Sequence, residues 1–151
     1  MHPNIAKPWQ HRIVGIAAIY NIIWGSLVIA FPASLWELVG APVPDPVALW
    51  RGLGAIIGAF GLGFLVAARN PYQHWLLIGV AAIAKTAGTV GFFWAASQGQ
   101  LPWSFGWLVL VDDFAWITPF ALIVRDALRA SDHVSASHTA HVTAAPANTR
   151  A

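Results

Sequence analysis

The sequence predicts an all-α protein, a membrane-spanning four-helix bundle, and two observations support this prediction. Hydrophobic residues make up 58% of the 151 residues and charged residues only 9%, whereas about a quarter of the residues in a soluble domain are charged. The apolar residues gather in four runs, each long enough to cross a hydrocarbon core of about 30 Å. We therefore expect one membrane domain and no separate catalytic domain.

The first span follows Lys7 and Arg12, a basic flank that is also typical of a signal peptide. Its apolar stretch is long for a signal peptide, and no small-x-small cleavage site follows it, so we interpret it as a membrane helix. Repeated prolines after it forbid a regular helix, although the apolar segment 33–39 predicts one or two helical turns. The four predicted spans are 13–31, 47–68, 75–96 and 103–124.

The basic residues predict the topology, because lysine and arginine concentrate on the cytoplasmic side of a membrane protein. On the opposite side of the membrane, the loops and the helix ends beside them contain a single basic residue, Arg51. Both termini are therefore expected in the cytoplasm, as segments 1–12 and 125–151, with the domain in the inner (plasma) membrane of the cell. The basic residues at the cytoplasmic ends of the spans are Lys7, Arg12, Arg69, Arg125 and Arg129.

Composition also excludes several classes of function. The chain has no cysteine, which excludes thiol redox chemistry, disulfides and thiolate metal sites. The net charge of +2 is a topology signal, and we expect no nucleic-acid partner. From residue 131 the chain is rich in Ser, Thr, Ala and His, which predicts a disordered tail. Its histidines, His133, His138 and His141, are a weak metal site at best, so we expect no metal or cofactor.

Three residues that are normally charged lie deep inside the third and fourth predicted spans and are the strongest indication of function. Lys85 lies in the third span, and Asp112 and Asp113 lie in the fourth. A charge at the bilayer centre costs about 2.5 to 3.5 kcal/mol on insertion scales. One interpretation is a binding charge or a proton relay, and the other is a structural lysine held by a carboxylate or by backbone carbonyls. Adjacent helical residues point about 100° apart, so at most one aspartate is expected to face Lys85 directly.

Three further residues complete the predicted polar cluster, each with an alternative role. Arg51 enters the second span near the aspartates, where it pairs with the second carboxylate or extends to the lipid headgroups. Asn21, near the middle of the first span, lines the polar site or forms an interhelical hydrogen bond. Trp116, one turn beyond Asp112, forms a wall of the site or packs in the core.

The second span is rich in glycine, and Gly54 and Gly58 form a GxxxG pair. Small residues at this spacing let another helix approach closely. The partner helix is expected within the bundle or in a homo-oligomer.

Five ordered motifs lie in the spans and in the turn between the second and third: Asn-x-x-Trp-Gly at 21–25, Trp-Arg-x-Leu-Gly at 50–54, Ala-Arg-Asn-Pro-x-x-His-Trp at 68–75, Lys85 with Gly88 and Gly-Phe-Phe-Trp at 91–94, and Asp-Asp-x-x-Trp-x-x-Pro-Phe at 112–120. Together they resemble a family of small four-helix bacterial membrane proteins of unknown function, broadly similar to DoxX-like proteins. This resemblance implies an association with respiratory quinol chemistry, although no histidine lies inside a predicted span to bind haem. Some members carry an alkyl hydroperoxide reductase label, which the absence of cysteine excludes here.

Two functional hypotheses follow from these residues. We favour a non-enzymatic accessory or binding subunit that uses the Lys85, Asp112 and Asp113 cluster to hold a membrane-lipid headgroup, a quinone-like molecule or a helix of another membrane subunit. The alternative is a small membrane enzyme or proton-coupled carrier in which Lys85 and an aspartate exchange a proton. No nucleophile beside a base and no phosphate-binding glycine loop is present in the sequence, which favours the first hypothesis.

Overall fold

The structure is a computed structural model that describes residues 6–144, with side chains through residue 132. All regular structure in this part of the chain is helical, which confirms the predicted fold class. Within the described residues, four helical segments are long and apolar enough to cross a membrane: Pro8–Ala30, Val47–Ala67, Trp75–Ser97 and Trp103–Asp132.

The first three of these segments are regular helices, which we name α1 (Pro8–Ala30), α3 (Val47–Ala67) and α4 (Trp75–Ser97). Proline fits the first turn of a helix because its missing N–H needs no partner there, so α1 begins at Pro8, before the predicted Ile13. The predicted short segment after α1 is the helix α2 (Ser34–Leu38).

The fourth segment differs from the predicted regular helix over 103–124. It begins with a 3-10 turn, Trp103–Phe105, and continues as α5 (Gly106–Val109). A π-helical turn, Leu110–Phe114, then leads into α6 (Ala115–Ala144). The π turn contains both intramembrane aspartates. The irregular stretch of the fourth segment therefore coincides with the candidate site. π turns are frequently found at functional sites.

The last helix extends past the predicted end of the fourth span and reaches Ala144. Alanine is the best helix former, and Ala127 and Ala130 are buried in this extension. The predicted disorder of the tail stays a prediction, and its last residues, 145–151, lie outside the described part of the chain.

Helices α1 and α3 form the most extensive contact of the bundle, and α4 with α6 forms the next. Glycine makes the first contact close: a Cβ at Gly25 would lie 2.5 Å from the backbone oxygen of Gly54 and 2.7 Å from the nitrogen of Gly58. A Cβ at Gly61 would lie 2.9 Å from the oxygen of Ala18. The glycine pair predicted to bind another helix therefore contacts α1 within the bundle.

The apolar core occupies the half of the bundle where α1 begins and α6 continues. At that end the Nζ atom of Lys7 lies 2.9 Å from Oδ2 of Asp126, and Nδ1 of His11 lies 2.8 Å from the backbone oxygen of Ala68. The core residues are Val14, Ala17, Ala18, Phe64, Ala67, Ile78, Ala81, Phe120 and Ile123.

The other half of the bundle is packed differently. Its end is closed by aromatic rings, since the Trp36 ring centroid lies 5.2 Å from that of Trp50 and 5.0 Å from that of Phe105. Between this aromatic cap and the core lie the polar residues and two cavities. The fold thus places the candidate site in the half of the membrane domain that the apolar core does not fill.

Candidate functional site

The site is centred on Lys85, which is buried on the face of α4 that also carries Ala81 and Thr89. Its ammonium group donates to the backbone oxygen of Asp112 at 2.5 Å and to Oδ1 of Asp113 at 3.4 Å. Oδ1 of Asp112 lies farther away, at 4.0 Å. The structure therefore brings Lys85, Asp112 and Asp113 together, and Asp113 alone offers Lys85 a hydrogen-bonded carboxylate.

The π turn explains how a backbone carbonyl takes part. In a regular helix the oxygen of each residue accepts from the N–H four residues later, and a π turn interrupts this series. The ammonium group of Lys85 reaches the oxygen of Asp112 within this turn. The indole Nε1 of Trp116 likewise donates to the oxygen of Val111 at 3.1 Å. Side chains thus bind two consecutive carbonyl groups of the irregular stretch.

Gly88 makes room for Asp113, because it lies one turn after Lys85 on α4 and has no side chain. A Cβ at this position would lie 2.6 Å from Oδ2 of Asp113. A contact under 3.0 Å forces one of the two groups to move. The spacing of Lys85 and Gly88 on one helical face therefore admits the carboxylate beside the ammonium group.

Tyr20 belongs to the site and was missed from the sequence. Its hydroxyl group lies against the carboxyl group of Asp112, and its ring stacks on Trp24 with a centroid distance of 6.2 Å. The centroid of the Trp116 ring is 5.5 Å from that of Tyr20. The available signal was its position beside Asn21, deep in the first span, since tyrosine is otherwise enriched at the membrane interface.

The other predicted residues have different positions. Asn21 is buried and lines the cavity beside Lys85, but its amide donates to the oxygen of Ala17 on the same helix at 2.8 Å. It therefore supplies polar lining, and the alternative interhelical hydrogen bond does not form. Trp116 packs between Tyr20 and Phe120, as expected of a core residue. Arg51 is exposed and forms no ion pair among the described residues, so the structure does not place it in the cluster.

A cavity of about 280 Å³ adjoins the ammonium group and both carboxylates. It lies between α3 and α4, where the side chains of Leu53 and Ile56 and the small residues Ala84 and Gly88 are exposed. Those residues face the surrounding lipid in a membrane, so the cavity opens sideways between two helices. Its lining residues are Asn21, Leu53, Ile56, Ile57, Phe60, Phe64, Ala81, Ala84, Lys85, Gly88, Asp112 and Asp113.

A second cavity of about 220 Å³ continues from the first toward the aromatic cap. The two cavities share Leu53, Ile57, Gly88 and the two aspartates. The second is otherwise apolar and aromatic, with Trp24 and Trp50 among its walls. The polar cluster therefore lies at the junction of two adjoining spaces.

This arrangement suits binding of an amphiphilic molecule. The polar atoms lie together at the depth of Lys85, and apolar side chains surround the sideways opening. A polar head placed against the cluster would leave an apolar tail among the acyl chains. The chemistry also permits proton exchange, since carboxylates and an ammonium group lie within 4.0 Å of one another.

No family model, no curated protein and no solved structure matches this chain.

Proposed function

We propose that this protein is a non-enzymatic membrane binding protein that holds the polar head of an amphiphile, such as a lipid headgroup or a quinone-like molecule, in the cavity beside Lys85. One observation carries the proposal: the buried polar cluster borders a cavity that opens sideways between α3 and α4. A purely structural ion pair needs no such space. The DoxX-like resemblance is compatible with an accessory role of this kind.

The size of the cavity supports a headgroup as the bound part. Small-molecule sites usually measure about 300 to 1,000 Å³, and this cavity measures about 280 Å³. It therefore holds a head and the first few atoms of a tail. Leu53 and Ile56 at the opening offer apolar contact to the remainder of the tail.

The residues around the cavities also support a non-enzymatic role. Among the described residues, no serine, histidine or cysteine lines either cavity. Covalent catalysis of the serine, cysteine or histidine type therefore has no nucleophile in the described lining of these cavities. A partner helix is a less suitable occupant than a small molecule, because the space is a concave pocket between helices.

The location is part of the same proposal. The helices support a multi-pass membrane protein, and the basic residues at the α1 end favour the bacterial inner membrane with cytoplasmic termini. The face of α3 that carries Gly54 and Gly61 is used by α1, so a homo-oligomer would use other surfaces of the bundle.

The test is mass spectrometry of the lipids and quinones that co-purify with the protein in a mild detergent. We expect the wild type to retain one amphiphile in roughly equimolar amount. The variant Ile56→Trp places an indole at the sideways opening and should lower that amount at least tenfold without removing a charge. The control is Ile83→Trp on α4, since Ile83 is 71% exposed and lies outside the cavity lining.

An identical set of retained lipids in the wild type and both tryptophan variants would contradict the proposal. Loss in both variants would point to general disturbance of the bundle, so each variant is first compared with the wild type by thermal unfolding. The informative result is a loss confined to Ile56→Trp.

A second candidate function, the proton relay, has one specific observation in its favour. The second cavity adjoins both aspartates from the direction of the aromatic cap, and a relay needs a water-accessible path to its ionisable groups. The chain has no native cysteine, so single-cysteine variants can be made directly. Labelling of Gly91→Cys and Leu53→Cys by a water-soluble thiol reagent, with Ile83→Cys protected, would support the relay. Uniform protection would argue against it.

A further inference from the structure

We infer that the bound amphiphile is cationic: an organic amine whose ammonium head binds the carboxylate of Asp112 and whose apolar tail leaves between α3 and α4. This inference rests on the proposed function and names the chemical class of its ligand. It is carried by the charge balance of the cluster, by one buried carboxylate oxygen that accepts no hydrogen bond from the described residues, and by the aromatic walls.

The charge balance is the first step. Two carboxylates, Asp112 and Asp113, lie within 4.0 Å of a single ammonium group. Arg51, the other basic residue predicted for the cluster, is exposed and forms no described ion pair. With both carboxylates ionised, the cluster has one excess negative charge in a medium of low dielectric constant. Such a charge needs a cation or a proton.

The position of the excess charge is the second step. Lys85 directs its hydrogen bonds to Asp113 and to the backbone oxygen of Asp112. Oδ1 of Asp112 is buried and has no hydrogen-bond partner among the described residues. A buried acceptor without a donor is unfavourable. Oδ1 is enclosed by protein atoms, so an ammonium head, which carries up to three donors, would meet it only after the carboxylate turns toward the cavity.

The aromatic walls are the third step. Phe60 and Phe64 line the cavity beside Asp112, and Trp24 lines the adjoining one. The ring of Tyr20 lies between Trp24 and Trp116, with its hydroxyl group against Asp112. Aromatic faces attract cations, most strongly where water is excluded. The aromatic rings around the cavities therefore favour a ligand with a positively charged head.

These features disfavour the other headgroups. An anionic head would lie beside two carboxylates and be repelled by the excess negative charge. A quinone offers only oxygen acceptors, so it can accept a hydrogen bond from Lys85 but does not neutralise the excess negative charge of the cluster. A neutral hydroxyl head can donate one hydrogen bond to Asp112 but does not neutralise the charge.

The test compares three probes with the same ten-carbon tail and different heads: decylamine, decanol and decyl sulfate. Binding to the purified protein in zwitterionic lipid nanodiscs is followed by the fluorescence of its nine tryptophans, with empty nanodiscs correcting for partition into lipid. We expect decylamine to bind at least tenfold more tightly than decanol, and decyl sulfate to bind most weakly.

Two variants locate the bound charge. Asp112→Asn should remove the preference for the amine, because the amide keeps the shape and loses the charge. Asp126→Asn is the matched control, since Asp126 pairs with Lys7 at the far end of the bundle, and it should keep the preference. Should Asp112→Asn fail to fold, the wild-type order of the three probes still tests the inference.

The outcomes separate this inference from the proposed function. Equal binding of amine and alcohol, or tighter binding of the sulfate, would overturn the cationic ligand and leave amphiphile binding intact. A preference for the amine that persists in Asp112→Asn would also overturn it. Failure of all three probes to bind, together with lipid profiles unaffected by Ile56→Trp, would overturn both.

Discussion

The ammonium group of Lys85 lies 2.5 Å from the backbone oxygen of Asp112 but 4.0 Å from the nearer carboxylate oxygen of the same residue. Asp112 therefore holds the lysine through its main chain, while its side chain lies against the hydroxyl group of Tyr20. The carboxylate that does bind the lysine is that of Asp113, at 3.4 Å. The two adjacent aspartates thus contact Lys85 in different ways, Asp112 through its backbone oxygen and Asp113 through its side chain. The irregular backbone of the π turn that contains them makes this difference possible.

This difference predicts unequal effects on stability. Removal of the side chain in Asp113→Ala deletes the hydrogen-bonded carboxylate of Lys85, whereas Asp112→Ala keeps the carbonyl that binds it. Hydrogen bonds to charged groups contribute about 1.5 to 3 kcal/mol. We expect Asp113→Ala to lower the free energy of unfolding by about 1 kcal/mol more than Asp112→Ala, both made in a Tyr20→Phe background that removes the hydroxyl group beside Asp112 and measured by denaturant titration in mixed micelles. Equal losses would contradict the assignment.

The ion pair also predicts non-additive substitutions. Lys85→Met leaves two carboxylates without a counter-charge, and breaking a buried pair in this way typically costs about 3 to 5 kcal/mol. The double variant Lys85→Met with Asp113→Asn should lose less than the sum of the single variants, with a coupling of about 1 to 3 kcal/mol. Additive losses would show that the two side chains do not interact.

The control for this cycle is Lys7→Met at the α1 end. The side chain of Lys7 is 57% exposed, and exposed ion pairs contribute at most about 1 kcal/mol. The decrease in the free energy of unfolding caused by Lys7→Met should therefore be small.

Gly88 provides a test of the space beside Asp113. In Gly88→Ala the new methyl group would lie 2.6 Å from Oδ2 of Asp113, so the carboxylate must move away from Lys85. We expect a loss of about 1 to 3 kcal/mol, the usual cost of overpacking. Gly91→Ala is the matched control on the same helix, because its Cβ would meet no atom within 4 Å. Similar unfolding curves for the two variants would show that Asp113 is not confined at Gly88.

The contact between α1 and α3 predicts an effect at Gly25. A methyl group there would lie 2.5 Å from a backbone oxygen of α3, and backbone atoms cannot turn aside as a side chain does. Gly25→Ala should therefore separate the two helices and lower the thermal unfolding midpoint by several degrees. Gly52→Ala, whose Cβ would meet open space, should leave the midpoint unchanged. An unchanged midpoint in Gly25→Ala would contradict the close approach.

The indole of Trp116 provides a test of the irregular helix. Trp116→Phe keeps an aromatic ring beside Tyr20 and removes the donor to the oxygen of Val111. A hydrogen bond contributes about 1 kcal/mol net, so a loss of this size is expected in the free energy of unfolding. Trp107→Phe is the control, since Trp107 is 73% exposed. A neutral Trp116→Phe would show that the indole bond does not stabilise the π turn.

Much of the fold follows from local sequence properties. Length and apolar composition predict the four membrane helices. The prolines before Val47 indicate that no regular helix runs through the loop that precedes it. The short helix Ser34–Leu38 was expected from its apolar residues between prolines, and the structure contains it. Each of these features depends on neighbouring residues along the chain, which is why a sequence reveals them.

The π turn is different, because residues 110–114 themselves contain no glycine or proline that would mark an irregular helix. Its carbonyl groups are bound by Lys85 from another helix and by Trp116, so it depends on contacts distant from its own residues. Tyr20 was missed for the same reason, since its role depends on Asp112. Arg51 shows the same dependence on packing: its sequence position allowed either contact with the aspartates or extension to the lipid headgroups, and the packing of α3 leaves it exposed.

The sequence by itself determined that this chain forms membrane helices and that a lysine and two aspartates lie within them, because hydrophobic length and composition are local properties. The tertiary structure decided which groups meet. In the folded bundle the carbonyl of Asp112 and the carboxylate of Asp113 contact Lys85, and the glycines of α3 pack against α1. A cavity lies open between α3 and α4. Helix rotation and axial position set these contacts, and both depend on the packing of the whole bundle.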